Sequence, residues 1–191
     1  MTYNRPEWIN NCPAEHQDTL EKHDRGEGTA IFYKADFTGA NLEGASLNGA
    51  ILNDCCFDNV NFRDASLIGA DFMRSSLKNT NFTEADLSNT ILTDAFFDNT
   101  KFINAIVAGA QYKDDILHLP PLNIEGWGYS ILLIGSYINI SCKCFKTQEW
   151  IECSEEDIRR MDPGKSLKWA QEFKETLLPI ATDYLEQHNA C

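Results

Sequence analysis

The sequence predicts an all-β solenoid followed by a small α+β C-terminal domain, and three observations carry that prediction. From Ala30 to Ala110 every fifth residue is small, in a frame that never slips: Ala35, Ala40, Ala45, Ala50, Cys55, Val60, Ala65 and Ala70 continue through Ser75, Thr80, Ala85, Thr90, Ala95, Thr100 and Ala105. Two residues after each comes a larger apolar one, from Phe32 through Phe37, Leu42, Leu47, Leu52, Phe57, Phe62, Leu67, Phe72, Leu77, Phe82, Leu87, Leu92, Phe97 and Phe102 to Val107 and Tyr112. The third observation is the spacing itself. A period of five matches neither the helical period of 3.6 nor the strand period of two. The dense Gly39, Asn41, Gly44, Asn48, Gly49, Asn53, Asn59 and Asn61 further lower helix propensity. A fixed period of this kind specifies stacked turns.

The larger residues from Phe37 to Phe102 are therefore expected as an interior ladder, each contributing about 1.5–3 kcal/mol on burial. The small residues let backbones approach at the corners. Cys55 falls on a small inward position and is expected to be inert core, with Cys56 facing outward or at a corner.

Units such as ADFTG, ANLEG, ASLNG, ADFMR, TNFTE and ADLSN resemble the pentapeptide-repeat family, whose unit reads A(D/N)Lxx. The resemblance implies a right-handed quadrilateral β-helix with four pentapeptides to a coil. Its length implies about four coils, a rod roughly 20 Å long at strand spacing. Twenty residues per coil define four walls. Asp36, Asp58 and Asp98 lie outward on one, and Glu43, Asp64 and Glu84 on the next, diluted by Arg63, Arg74, Lys78 and Lys101. These six acids are the candidate binding residues. Asn41, Asn61 and Asn81 stack in register and are expected to form an asparagine ladder.

A bare stack exposes its ends, so both are expected to be covered. Residues 1–29 read as an N-terminal cap: a short helix over Pro13–His23, with Trp8, Ile9 and Leu20 covering Phe32, and His16 and His23 on the surface. Residues 30–112 are the repeat and 113–128 a linker, where Pro120 and Pro121 break the frame. Residues 129–191 are the α+β domain. In it, Tyr129–Phe145 reads as two strands about Gly135, Thr147 as a helix cap with Trp150 buried, and Ser154–Met161 as an acid-to-base short helix. Asp162-Pro-Gly is a break, and a last helix runs from Ser166 to Glu186 with Leu167, Ala170, Phe173, Leu177, Ile180, Ala181 and Leu185 on one side. Through Ile134-Gly135, Cys142 or Cys144, Thr147, Glu149-Trp150, Ser154–Ile158 and Trp169, this part resembles a small domain that accompanies pentapeptide repeats in phage and bacterial proteins.

Composition narrows the function. The 191-residue chain carries a net charge of −13, spread as about −3, −5 and −5 over the three segments. Direct nucleic-acid binding needs a basic surface, which these totals do not supply. No run of apolar residues is long enough to span a membrane. The lack of a signal-like N-terminus and the odd count of 7 cysteines point to a reducing, cytoplasmic setting with free thiols. No cofactor and no catalytic residue is expected. Asp162-Pro-Gly-Lys-Ser lacks the G-x-x-x-x-G that a phosphate loop needs.

Three readings stay open. The first is a non-enzymatic protein-interaction module, such as a phage or bacterial accessory factor acting on host machinery. A variant implied by the family resemblance is a DNA mimic that modulates DNA gyrase, with a homodimer through the C-terminal helix. The second is a thiol or metal site in the C-terminal domain, with Cys142, Cys144 and Cys153 as ligands and Glu149 and Asp157 nearby. The third is a purely structural part of an assembly.

Overall fold

The computed structural model describes residues 6–124, 130–140, 143–154, 156–157, 160 and 167–190, with backbone alone for Lys143, residues 167–170 and Phe173. The expected fold class needs correction. Among the described residues the regular strands form only two small antiparallel sheets, neither closed into a barrel or solenoid, and helices flank the repeat at both ends. The fold is mixed α/β, not an all-β quadrilateral β-helix of about four coils. The physical reason lies in the five-residue unit. One residue of each pairs through an isolated bridge and two form a turn, so no run of consecutive paired residues can develop.

Within residues 30–112 those isolated bridges are regular. They are parallel and join residues twenty apart: Ile31 with Ile51, Asp36 with Cys56, Asn41 with Asn61, Ser46 with Ser66, and onward to Ile91 with Gln111. Each bridge exchanges two backbone bonds, as where Phe32 N–H donates to Ile51 O (2.7 Å) and Ile51 N–H to Ala30 O (2.8 Å). Most units are closed by a turn bond, such as Ala45 N–H to Leu42 O at 3.0 Å. The turn puts its second central residue at positive φ. That position is glycine at Gly39, Gly44, Gly49, Gly69 and Gly109, and elsewhere mostly Asn or Asp, the side chains that best tolerate the left-handed region. The dense Asn and Gly therefore have a geometric cause.

The inward residues pack to a dry core. Leu42, Phe57, Phe62, Leu67, Phe72, Leu77, Phe82, Leu87 and Leu92 have no exposed surface. Phenylalanines stack in register: Phe37 on Phe57 (5.1 Å between ring centres), Phe62 on Phe82 (5.3 Å) and Phe82 on Phe102 (5.4 Å). Ser75, Thr80 and Thr100 are buried too, and each donates its hydroxyl to a carbonyl of the preceding tier: Leu52, Phe57 and Leu77 respectively, at 2.7–2.8 Å.

At the N-terminal end, α1 (Glu7–Asn10) and α2 (Ala14–Asp24) each start just after a proline, Pro6 and Pro13, whose φ suits a helix start. Trp8, Ile9, Cys12 and Leu20 join the core of the repeat. His16 is not a free surface histidine: its ring lies 4.6 Å from Phe37 and 5.1 Å from Phe32, closing the aromatic column. His23 Nδ1 accepts the Ala30 N–H (3.0 Å) where the chain enters the first tier.

At the other end β1 (Gln111–Tyr112) and β2 (Asp115–Ile116) make a tight hairpin. β3 (Leu122–Ile124), β4 (Ile131–Ile134), β5 (Tyr137–Ile140) and β6 (Lys143–Lys146) then form an antiparallel sheet in chain order. Gly135, at positive φ, turns β4 into β5. Both sheet faces are buried. Leu132, Ile134, Tyr137 and Cys144 face the end of the repeat. Ile131, Leu133, Ile138 and Phe145 face α3 (Thr147–Glu152) and α4 (Leu167–Asn189). The sheet is thus the middle of three layers. Thr147 is the first helical residue and buried, and its side chain makes no cap. Trp150 is fully buried. On α4 the buried stripe is Leu177, Ala181, Tyr184 and His188, while Ile180 is 36% exposed. Asp162-Pro-Gly and the side chains of Leu167, Trp169, Ala170 and Phe173 lie outside the described residues.

Candidate functional site

The six outward acids do not converge into one field. Asp36 accepts the Thr38 N–H (2.9 Å), and the Thr38 hydroxyl and amide hold its carboxyl below the usual range. Glu43 accepts from Asn61 Nδ2 at 3.0 Å. Asp58 is bound by the Ser76 hydroxyl. Asp64 and Glu84 are bridged by Arg63, whose own pKa is raised chiefly by its bond to Asp64. Asp98 is half-buried. Lys78 sits over the Phe96 ring, 5.0 Å from its centre.

Asn61 Nδ2 donates to Asn41 Oδ1, and Asn81 Nδ2 to Asn61 Oδ1, both at 3.0 Å. A second ladder, Asn99 to Asn79 (2.9 Å) and Asn79 to Asn59 (3.2 Å), escaped the sequence reading, although the same spacing of twenty announced it.

The sequence reading also missed an apolar patch. Ile31 is 60% exposed, Tyr33 64% and Ile51 39%, and the bridge from Ile31 to Ile51 makes them neighbours on one wall. Lys34 lies 5.0 Å from the Tyr33 ring centre. Beside them Arg74 holds Asp54 with two bonds, Nε to Oδ1 (2.9 Å) and Nη2 to Oδ2 (2.7 Å), which lowers the Asp54 pKa. The signal was present: Ile31 and Ile51 occupy the outward position that carries Asp, Asn or Ser in most other units.

Of the candidate metal ligands, Cys144 lies on the sheet face toward the repeat and Cys153 packs in the core beyond the opposite face. Cys142 lies outside the described residues. Among the described residues no group of three His, Cys, Asp or Glu side chains is placed to hold a metal ion. Burial raises the pKa of both Cys55 and Cys153. No helix among the described residues is long and apolar enough to cross a membrane. Of the α4 stripe that could have served a homodimer, Leu177 and Ala181 are already packed inside the chain, with Ile131, Leu133, Ile138 and Trp150.

Taken together, residues twenty apart that pair in register, a filled interior and an outward wall of fixed spacing define a repeat scaffold. The family model of pentapeptide repeats matches it in 8 copies, over residues 30–54, 55–94 and 80–111, so this segment is built of pentapeptide repeats. A distinct helical region follows the repeats. Among solved structures the chain is similar to alr5209, a pentapeptide-repeat protein from Nostoc PCC 7120 (24% identity, 50% of this chain and 77% of that one, TM-score 0.47). It is also similar to HetL from the same cyanobacterium, a pentapeptide-repeat protein involved in heterocyst differentiation regulation (24%, 46% and 43%, TM-score 0.29). A third is QnrB1, a plasmid-mediated fluoroquinolone resistance protein (18%, 42% and 42%, TM-score 0.24). The chain thus spans less than half the length of HetL and of QnrB1. No curated protein matches.

Proposed function

We propose that the protein is a non-enzymatic protein-interaction module and that its contact surface is the wall bearing Ile31, Tyr33 and Ile51. The observation that carries this reading is the exposure of those three large side chains beside an Asp54–Arg74 pair. Contiguous exposed apolar surface rimmed by polar groups is characteristic of protein contacts, and Tyr and Arg are the residues that most often dominate their energetics. The inward side chains are committed to packing and to their own hydrogen bonds, which leaves recognition to the outside.

Affinity capture compared across surface variants tests the proposal. Ile31→Ser with Tyr33→Ser should abolish retention of the partner that wild-type protein retains. Glu43→Gln with Asp64→Asn and Glu84→Gln should keep it. The reverse pattern would move recognition to the acidic walls and refute the proposed surface.

A second reading, a DNA-mimicking modulator of DNA gyrase, draws support from the net charge of −13. Its acids are interrupted by Arg63 and Arg74 and engaged locally, which weakens the likeness to a phosphate track. A gyrase supercoiling assay separates the two. Inhibition or protection that is lost in the acidic triple variant but kept in the apolar one would favour mimicry.

A further inference from the structure

We infer that the occupant of the wall bearing Ile31, Tyr33 and Ile51 is a second copy of this chain, packed antiparallel on the same wall, an assignment that rests on that wall being the contact surface. The observation that carries it is a column of alternating charge along one corner of the wall. Lys34, Asp54, Arg74 and Asp94 are spaced by twenty, and all four take the left-handed turn position, at φ of 56–57°. Backbone bonds hold the tiers in register: Lys34 N–H to Asn53 O (3.3 Å), Asp54 N–H to Met73 O (3.0 Å) and Arg74 N–H to Thr93 O (3.1 Å). The four Cα–Cβ bonds therefore leave the backbone in one direction, one above the next, with signs plus, minus, plus, minus. The column ends there. At the next tier Lys113 takes the left-handed position, and Asp114 is bound by Lys146 (3.2 Å).

Such a column complements its own copy when the copy is reversed. A two-fold axis in the contact plane, at right angles to the stack and midway between Asp54 and Arg74, sets Lys34 of each chain against Asp94 of the other. Those two are the charges the wall leaves over. Asp54 and Arg74 bind each other at 2.7 Å, whereas among the described residues Lys34 and Asp94 make no ion pair. The same axis lays each Asp54–Arg74 pair beside its copy with signs crossed, Ile31 on Ile91 and Tyr33 on Thr93. Ile51 falls opposite Asp71, whose Oδ1 is occupied by the Met73 N–H (2.9 Å), and this is the poorest match. A parallel arrangement would instead put Lys34 on Lys34 and Asp54 on Asp54.

At the other three corners the same position, from Gly39 to Gly109, holds no cation, so those columns cannot complement themselves. The charged column sums to zero in a chain of net charge −13, which makes this wall a place where two copies approach with little repulsion. Four tiers at about 4.8 Å span roughly 15 Å. The contact is accordingly small, below about 1,200 Å² in total, and belongs with weak, exchanging interfaces.

Sedimentation velocity of the full chain at rising, sub-millimolar concentration is the test. Wild-type protein should shift from monomer toward dimer, and less so as salt rises, because the facing charges are screened. Lys34→Glu and Asp94→Lys should each weaken self-association about tenfold, since each sets like charges opposite at both ends of the column. Both residue types already occupy this turn position, at Lys34 and at Glu84. An equimolar mixture of the two variants should dimerise as wild type does, because each reversed charge then meets its opposite. Wild-type protein that stays monomeric would overturn the inference. So would a dimer indifferent to both substitutions, or a mixture that stays monomeric where wild type does not. If monomeric wild type retains a foreign protein that Ile31→Ser with Tyr33→Ser loses, the second copy is refuted and the wall survives as a contact surface. If that variant retains it too, the wall itself is refuted.

Discussion

In the repeat, position decides burial; in the C-terminal layers, composition does. Ser75, Thr80, Thr90 and Thr100 are at most 1% exposed although polar, because they occupy inward slots of a fixed frame, while Ile31 and Ile51 stand in solvent although apolar. In β4 the run Ile131–Ile134 is buried throughout, because the strand is covered on both faces by different partners. A repeat imposes geometry on whatever side chain falls in a slot. A small layered sheet has no such frame and depends on greasy residues to find each other.

The largest expected effect separates the two regions directly. Phe62 stacks on Phe82 and packs edge-on to Phe72, with no exposed surface. Phe62→Ala should cost about 3–5 kcal/mol, read as a fall in the denaturant midpoint for the whole repeat. Trp150→Ala is equally buried, but its loss should appear first as faster amide exchange in α3 and α4. Protection in tiers 30–70 should be unchanged. Uniform loss of protection from Trp150→Ala would mean the layers and the repeat fold as one unit.

Glycine substitutions sharpen the contrast. Gly135 is at positive φ, and a Cβ there would collide with the Asp115 carboxylate, which itself accepts from Ser136 Oγ at 3.0 Å. Gly39 is also at positive φ but has open space around it. Gly39→Ala should cost only the left-handed strain, about 1–2 kcal/mol, and Gly135→Ala clearly more, by thermal or urea unfolding. Equal costs would show that the β4–β5 turn moves away from Asp115 at little expense.

How much of this was legible follows from the same contrast. The inward ladder and the first asparagine ladder needed only the spacing, since one residue in five and one in twenty are patterns in the text. Helices were read at both ends, but the class was named from the period of the repeat, whose units pair one residue each and so build no regular strands. His16 read as a surface residue because nothing in a local window says that its ring will close a column of phenylalanines. The α4 stripe was misplaced at Ile180 because the sheet that selects Leu177, Ala181 and Tyr184 is far away in sequence.

Acid should loosen the C-terminal layers before the repeat. Burial holds His188 below its ordinary pKa, and neighbouring His118, its ring centre 5.8 Å away, adds to that, while Asp115 works against it. A histidine whose folded pKa is lowered binds its proton more readily when unfolded. Its contribution is therefore present above the unfolded value, about 6.5, and is lost as pH falls below it. The protection factors of α4 amides, taken relative to the intrinsic exchange rate at each pH, should fall as pH drops from 7 to 5, and His188→Gln should flatten that response. A repeat that loosens in step would remove the distinction.

The smallest effect tests whether a wall contact in the repeat carries stability at all. Asn61 links Asn41 and Asn81, yet all three stand where water competes for their amides. Each hydrogen bond replaces one to solvent, so Asn61→Ala should cost about 0.5–1.5 kcal/mol for the pair of links. Asn79→Ala, which breaks the second ladder, carries a further cost, because Asn79 sits at positive φ and alanine there is strained. Asn79→Gly relieves that strain while still breaking the ladder. The difference between the Ala and Gly variants, read from urea midpoints, isolates the backbone term, and what remains is the ladder. If Asn79→Gly matches wild type, the column is a consequence of the frame rather than a support for it.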